Sequence, residues 1–200
     1  MSNQQKITDS PIDFAERIIS DVKNSKDEGV LKCVQCGMCT STCPAARHSH
    51  YNPREIIERV LDGDETILND DNIWNCFYCY TCHSVCPVGN SVCEVNQILE
   101  QIAIENEIGY DKLYEYMGFA DSYFTAAIGA IPEIFFKDID RDVEGWWEFR
   151  QNLDEIRNEL ELDPPLMPSE EVIDEVSKIL TITGFKDKIE KIRETQEAEK

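Results

Sequence analysis

Eight thiols crowd one short window of this chain, and their spacing is that of a metal-binding device. Of nine cysteines in 200 residues, eight lie between Cys33 and Cys86, in two runs of identical spacing offset by 43 residues. The first run carries Cys33, Cys36, Cys39 and Cys43 before Pro44, and the second carries Cys76, Cys79, Cys82 and Cys86 before Pro87. Each is Cys-x2-Cys-x2-Cys-x3-Cys-Pro, the bacterial ferredoxin spacing for 4Fe-4S clusters. Three thiolates must converge on three corners of a small cube from one tight loop, which also turns backbone N–H groups toward the sulfides. The fourth corner needs a thiolate from elsewhere. In two-cluster proteins of this pattern the fourth cysteine of one run completes the other cluster. Cys33, Cys36, Cys39 and Cys86 are therefore assigned to one 4Fe-4S cluster, and Cys76, Cys79, Cys82 and Cys43 to a second. Structural zinc takes Cys-x2-Cys pairs with four ligands in all. It explains neither the third cysteine of each run nor the Cys-Pro ending.

The intervening residues refine this expectation. Pro44 and Pro87 fix φ and suit the first turn of a following helix, directing the chain away from each cluster. Gly37 permits close backbone approach in the first loop. Phe77, Tyr78 and Tyr80 occupy the second and are expected to shield its cluster from water. Cys93, seven residues past Cys86, is read as a small buried hydrophobe rather than a ligand. His83 is read as a surface histidine, and His48 and His50 are assigned no role. No catalytic residue is expected.

The elements that must position these thiols read as helices, and no stretch shows sustained strand alternation. The fold class is all-α: an α-helical ferredoxin core with a flanking N-terminal helix and C-terminal helices. Residues 1–32 form a polar start and one amphipathic helix, with Ser10 as N-cap, Pro11 in the first turn, and Phe14, Ile18 and Val22 on one face. Residues 33–105 form the two-cluster module. Within it Asn52-Pro53-Arg54-Glu55 caps and opens a helix whose apolar face is Ile56, Ile57, Val60 and Leu61, ended by Gly63. That helix separates the copies and brings them side by side, and Val95, Ile98, Leu99 and Ile102 mark a helix after the second run. Residues 106–200 form a C-terminal helical region. Leu153, Ile156 and Leu160 mark one helix there, and Val172, Ile173, Val176, Ile179 and Leu180 another. Pro164-Pro165 and Pro168 separate these two, and a charged helix after Gly184 is expected to fray.

Composition bounds the function. The chain carries 40 Asp and Glu against 19 Lys and Arg, a formal charge of −21. Such a chain does not bind nucleic acid, because counterion release needs clustered cations. The charge divides as −1, −4 and −16 over residues 1–32, 33–87 and 88–200, so the acidity belongs mainly to the C-terminal part. Eleven of the 18 aromatics lie between Tyr110 and Phe149, among them Tyr123-Phe124, Phe135-Phe136 and Trp146-Trp147. They are read as core or as the centre of an interface with a partner. The polar start argues against a secretory signal. The most apolar stretch, Ala126 to Phe136, is too short for the roughly 30 Å of hydrocarbon in a bilayer. A cytoplasmic chain without membrane insertion is expected.

At the level of residues, the segment Cys33 to Pro44, the stretch Tyr51-Asn52-Pro53-Arg54-Glu55-Ile56-Ile57, and the run from Ile73-Trp74 to Cys86-Pro87 resemble the C subunit of heterodisulfide reductase. The resemblance covers about residues 28–105. The duplicated motif is also shared with iron-sulfur subunits of succinate dehydrogenase, fumarate reductase, glycolate oxidase and anaerobic glycerol-3-phosphate dehydrogenase. Those proteins carry a 2Fe-2S domain or Cys-Cys-Gly domains that this sequence lacks. The resemblance implies an electron-transfer iron-sulfur subunit of a cytoplasmic complex in methanogenic archaea. Its partners would be a flavin-bearing A subunit and a catalytic B subunit that reduces the coenzyme M–coenzyme B disulfide. A hydrogenase or formate dehydrogenase would act with them in electron bifurcation. The sequence departs from the family at Val88, where relatives often carry a basic residue. The alternatives are a subunit of another anaerobic oxidoreductase, or a scaffold that its clusters stabilise.

Overall fold

The computed structural model describes residues 11–21, 24, 29–129, 153–161 and 168–198, and among these every regular element is helical. The chain divides into two compact units, residues 1–109 and 110–200. Ser10, Val22, Phe135-Phe136, Trp146-Trp147 and Pro164-Pro165 lie outside the described residues. Among the described residues no helix is long and apolar enough to cross a membrane.

The first unit begins with α1 (Pro11–Ile19), whose Phe14 and Ile18 are buried. Two short helices, α2 (Met38–Thr42) and α3 (Pro44–His48), follow the first cysteine loop; Pro44 opens α3 as expected, whereas Pro87 lies in a turn and the next helix starts only at Val92. Next comes α4 (Pro53–Leu61), which buries Pro53, Ile56, Ile57 and Val60. Two 3-10 turns, Glu65–Asn69 and Asp71–Asn75, lead to the second loop and the short α5 (Thr81–Ser84). The unit closes with α6 (Val92–Glu105), whose Val95, Ile98, Leu99 and Ile102 form its inward face. Helices α1, α4 and α6 pack on one another around this apolar cluster, and α2 packs on α5.

Local chemistry explains the joints. Asn52 stands at the N-cap of α4 but makes no capping bond with its side chain. Its Oδ1 instead accepts from the Thr40 hydroxyl at 2.8 Å, and the Arg54 backbone N–H donates to the same hydroxyl at 3.1 Å. The expected cap is thus spent on tying α4 to the helix that follows the first loop. At the other end of α4, the Arg59 guanidinium donates to Asp64 and Asp70, each at 2.7 Å, and to Thr66 at 3.1 Å. Asp64 and Asp70 in turn accept from the backbone N–H groups of Thr66 and Asn72, opening the two 3-10 turns. Gly29 is required by close approach, since a Cβ there would lie 2.7 Å from the Asn90 backbone. That contact holds the chain before the first run against the chain just after the second.

In the second unit a 3-10 stretch, Tyr110–Tyr116, precedes α7 (Met117–Ala126). The remaining described helices are α8 (Leu153–Glu159), α9 (Glu170–Ile182) and α10 (Phe185–Ala198). The Ser169 hydroxyl caps α9 by accepting from the Val172 N–H. No residue of α9 is buried, and Ile179 and Ile182 are 59% and 85% exposed, so the apolar pattern marks a helix without marking a core face. The charged last helix, expected to fray, is regular over fourteen residues. Its Ile189 and Ile192 are buried, Phe185 stacks on Phe124 with centroids 6.2 Å apart, and Arg193 pairs with Asp121. Tertiary contacts therefore fix a helix that its own sequence would hold weakly.

Two expectations follow. Leu99 is fully buried, so Leu99→Ala costs about 2–5 kcal/mol, read as an earlier denaturant transition of the helical circular dichroism signal. The second concerns the Arg59 clamp. Burial raises the Asp70 pKa, but the bonds from Asn72 and Arg59 outweigh it and hold the carboxyl below its usual range. Asp64 is likewise lowered, first by Thr66 and then by Arg59. Groups with depressed folded-state pKa values contribute stability above the ordinary carboxylate range and lose it as pH falls through their folded values. Asp70→Asn should lower stability at neutral pH and flatten its loss on acidification, measured by chemical denaturation across that range.

Candidate metal centres

The two cysteine loops repeat in backbone as well as in sequence. Gln35 and Tyr78 occupy the same position of the repeat and both have positive φ, 54° and 49°. The next such pair is Gly37 and Tyr80, with φ of 79° and 58°, each the left-handed residue that starts the helix after the loop. A left-handed turn reverses the chain within a few residues, which lets three side chains of one loop face a common centre. Glycine adopts it freely at 37, whereas tyrosine at 78 and 80 bears a cost of about 1–2 kcal/mol per residue.

The loops enclose two hollows. The first, counted with the open space at its mouth, is about 390 Å³ and is lined by Cys33, Cys36, Cys39 and Cys86, with Arg54, Ile57 and Asn90 beside them. The second, counted in the same way, is about 310 Å³ and is lined by Cys43, Cys76, Cys79 and Cys82, with Tyr51, Phe77, Tyr80 and Cys93. The fourth cysteine of each run thus stands in the hollow of the other, and Cys82 borders both. The thiols surround each space without meeting at a point: among the described residues no three His, Cys, Asp or Glu side chains are close enough to hold a single ion. Spaced thiol donors around a common centre suit a polynuclear cluster, whose ligands sit on separate corners.

Electrostatics fits the same chemistry. Burial pushes the Cys39 and Cys76 thiols above their ordinary pKa. A cluster bound through these thiols would have to displace those protons, so its assembly would release them. The thiols also make hydrogen bonds: the Asn90 N–H donates to Cys86 Sγ at 3.2 Å, and the Cys79 thiol donates to Thr81 Oγ1 at 3.3 Å. Cys93 is 1% exposed, as expected of a small hydrophobe, yet it faces the second hollow. Its sulfur lies 3.3 Å from the Ser91 hydroxyl. Its interaction with the Cys82 thiol lowers its pKa and raises that of Cys82.

The aromatic shield is partial. Phe77 and Tyr80 line the second hollow but remain 61% and 42% exposed, so they edge its mouth rather than close it. His83, His48 and His50 are all exposed. Sequence reasoning missed Arg54 and Asn90 at the first hollow and a buried polar group behind the second. There Asn96, 0% exposed, donates to the Ile73 carbonyl at 2.6 Å and to Glu100 at 2.9 Å. A polar residue at an inward position of α6 was the available signal.

The 4Fe-4S dicluster domain family matches residues 29–90, which span both loops and the helix between them. Fold and site together define a class, an all-α protein built on a two-cluster domain, with two 4Fe-4S clusters as its cofactors. The chain is 33% identical over 173 residues to the C subunit of the ferredoxin:CoB-CoM heterodisulfide reductase of Methanosarcina acetivorans, covering 86% of this chain and 69% of that protein. It is 30% identical over 181 residues to the iron-sulfur C subunit of the CoB–CoM heterodisulfide reductase of Methanopyrus kandleri, covering 86% of this chain and 84% of that protein. A shorter match, 38% over 96 residues, joins it to the C2 subunit of the H2/formate:CoB-CoM heterodisulfide,ferredoxin reductase of Methanococcus maripaludis and spans 46% of this chain and 52% of that protein. The chain belongs to the family of heterodisulfide reductase C subunits and is an iron-sulfur subunit of an oxidoreductase. The likeness reaches well beyond residues 28–105, the part that carries the cysteine motifs and the helix between them.

Gly37 provides a test of the loop geometry. A Cβ there meets nothing within 4 Å, so Gly37→Ala introduces backbone strain alone, about 1–2 kcal/mol. The variant should lose one of its two clusters to an iron chelator faster than the parent and the other at the parent rate, followed by iron release and EPR.

Proposed function

We propose that this chain relays electrons between two partner subunits and binds no substrate itself. Cys33, Cys36, Cys39 and Cys86 hold one cluster, and Cys76, Cys79, Cys82 and Cys43 hold the other. The observation that carries this reading is the exchange of Cys43 and Cys86 between adjoining hollows that share Cys82 as a border. Two centres separated by one side chain suit a one-electron path through the protein. Residues 33–105 act as the two-cluster module, with residues 1–32 and 106–200 flanking it, the latter contributing contacts to partners.

The relay is part of a larger complex. Electrons pass from a flavin-bearing A subunit, through this chain, to a B subunit that reduces the coenzyme M–coenzyme B disulfide in methanogenesis. A hydrogenase or formate dehydrogenase supplies them, and the complex is cytoplasmic. The names of the relatives from Methanosarcina acetivorans and Methanococcus maripaludis, with ferredoxin, H2 and formate beside CoB-CoM heterodisulfide, support this reading. An anaerobic native pull-down should recover the A and B subunits.

Ligation and relay are tested together on anaerobically purified protein. Cys43→Ser should reduce iron content by about half. It should remove the EPR signal of the cluster held by Cys76, Cys79 and Cys82 and spare the other. Loss of only the first cluster's signal would refute the exchange. Potentiometric EPR of the parent should show both clusters reducible between the potentials of donor and acceptor. Clusters that stay silent under strong reductant would leave only a scaffold that its clusters stabilise.

A further inference from the structure

A polar stripe interrupts the buried face of α6 and leads away from the second hollow. Cys93, Asn96 and Glu100 stand three and four residues apart, on one face of a helix whose neighbours Val92, Val95, Ile98 and Leu99 are buried. Asn96 is satisfied on both sides: its Nδ2 donates to Ile73 and to Glu100 Oε1, and its Oδ1 accepts from the Tyr51 hydroxyl at 3.4 Å. Tyr51 is 3% exposed and lines the second hollow. The buried Tyr78 hydroxyl lies beside Glu100, near enough to act on the carboxyl but without the alignment of a full hydrogen bond. Tyr51, Asn96 and Glu100 therefore join the hollow to a half-buried carboxyl.

A half-buried carboxylate costs free energy unless a cation or several donors compensate it. Of the cations on elements packed against α6, Arg17 of α1 is held by Glu105, Arg59 of α4 by Asp64 and Asp70, Arg54 of α4 lines the first hollow, and His83 of α5 is exposed. The other charged groups on those elements are carboxylates, Asp13 and Glu16 of α1, Glu55 and Glu58 of α4, and Glu65 and Asp71 of the 3-10 turns. Among the described residues the side chains that act on Glu100 are Tyr78 and Asn96, both neutral. Burial raises its pKa to about 7 despite their pull in the other direction. Its charge in turn disfavours the thiolate of Cys76. The first hollow has the opposite neighbour, the Arg54 side chain.

Resting on the ligand reading above, we propose that Glu100 is the proton acceptor coupled to the second cluster. A Glu100 carboxylate oxygen binds one proton from water as one electron arrives in the second hollow from a low-potential one-electron donor, and releases it when the electron leaves. The only bond made or broken is O–H. Negative charge added in the hollow strengthens proton binding at Glu100, and by reciprocity a protonated Glu100 makes reduction easier. The second cluster's potential should therefore be higher at low pH, where Glu100 is neutral, and fall as pH rises and the carboxylate forms. The first cluster, with the Arg54 side chain and no carboxyl in the lining of its hollow, should not change.

The test is anaerobic potentiometric EPR of the two-cluster chain on both sides of pH about 7. One of two midpoints should fall as pH rises. In Glu100→Gln both should be flat, with the affected midpoint resting near its acid-side value, and Glu100→Asp should retain the slope. Redox-difference infrared spectra provide an independent readout: a protonated carboxyl band should appear on reduction in the parent and be absent in Glu100→Gln. Two reducible clusters with flat midpoints in the parent overturn the proposal while leaving the relay intact. A slope that survives in Glu100→Gln overturns the assignment to this residue. Absence of a second reducible centre overturns both the proposal and the relay.

Discussion

The side-by-side packing of α2 and α5 is the contact on which the first unit depends. A loop of this spacing can aim three thiols at one centre, but the chain must leave the loop before it reaches the fourth cysteine. Each fourth cysteine therefore emerges on the far side of its own short helix. Only when the two helices lie against each other does that far side become the neighbouring hollow. The Gly29–Asn90 approach, the Thr40–Asn52 bond and the Arg59 clamp all act on this arrangement, because each fixes one end of the chain that enters or leaves a loop.

The two hollows are alike in backbone and unlike in surroundings. Both loops use left-handed residues at matched positions, but the second does so with tyrosines that glycine would replace at lower cost. Of the two, Tyr80 stands at the edge of the second hollow and Tyr78 acts on Glu100 behind it. The first hollow has an arginine at its side, and the second has tyrosines, the Cys93 thiol and a carboxyl behind it. The same ligand chemistry is thus placed in two electrostatic environments, and environment is what separates the potentials of chemically identical clusters.

Much of the site was legible in the sequence because its periodicity is covalent. Spacings of two and three residues between cysteines decide which thiols a single loop can gather, and Pro44 marks where the chain turns into the next helix. Helices α4 and α6 were legible from their apolar faces. The network at Asn96 was not, because a lone asparagine in a helical pattern has no partner until Tyr51, Ile73 and Glu100 arrive from other segments and from the next turn. The role of Asn52 was hidden for a related reason: its local signal as a cap was correct in position, while a hydroxyl twelve residues earlier took its side chain. The last helix was underestimated because its charge is written in its own sequence and its anchors, Phe124 and Asp121, are not.

By itself, then, the sequence determined the ligand chemistry, the helical class and the strongly acidic character, all of which follow from residue identity and from distances of a few positions along the chain. Only the tertiary structure decided that Cys82 borders both spaces, that Cys93 faces one of them, and that a half-buried carboxyl stands behind it, bonded to the neutral Asn96. Those properties depend on segments separated by many tens of residues meeting in space. Burial, which sets the proton affinity of Glu100 and of the thiols alike, exists only once they have met.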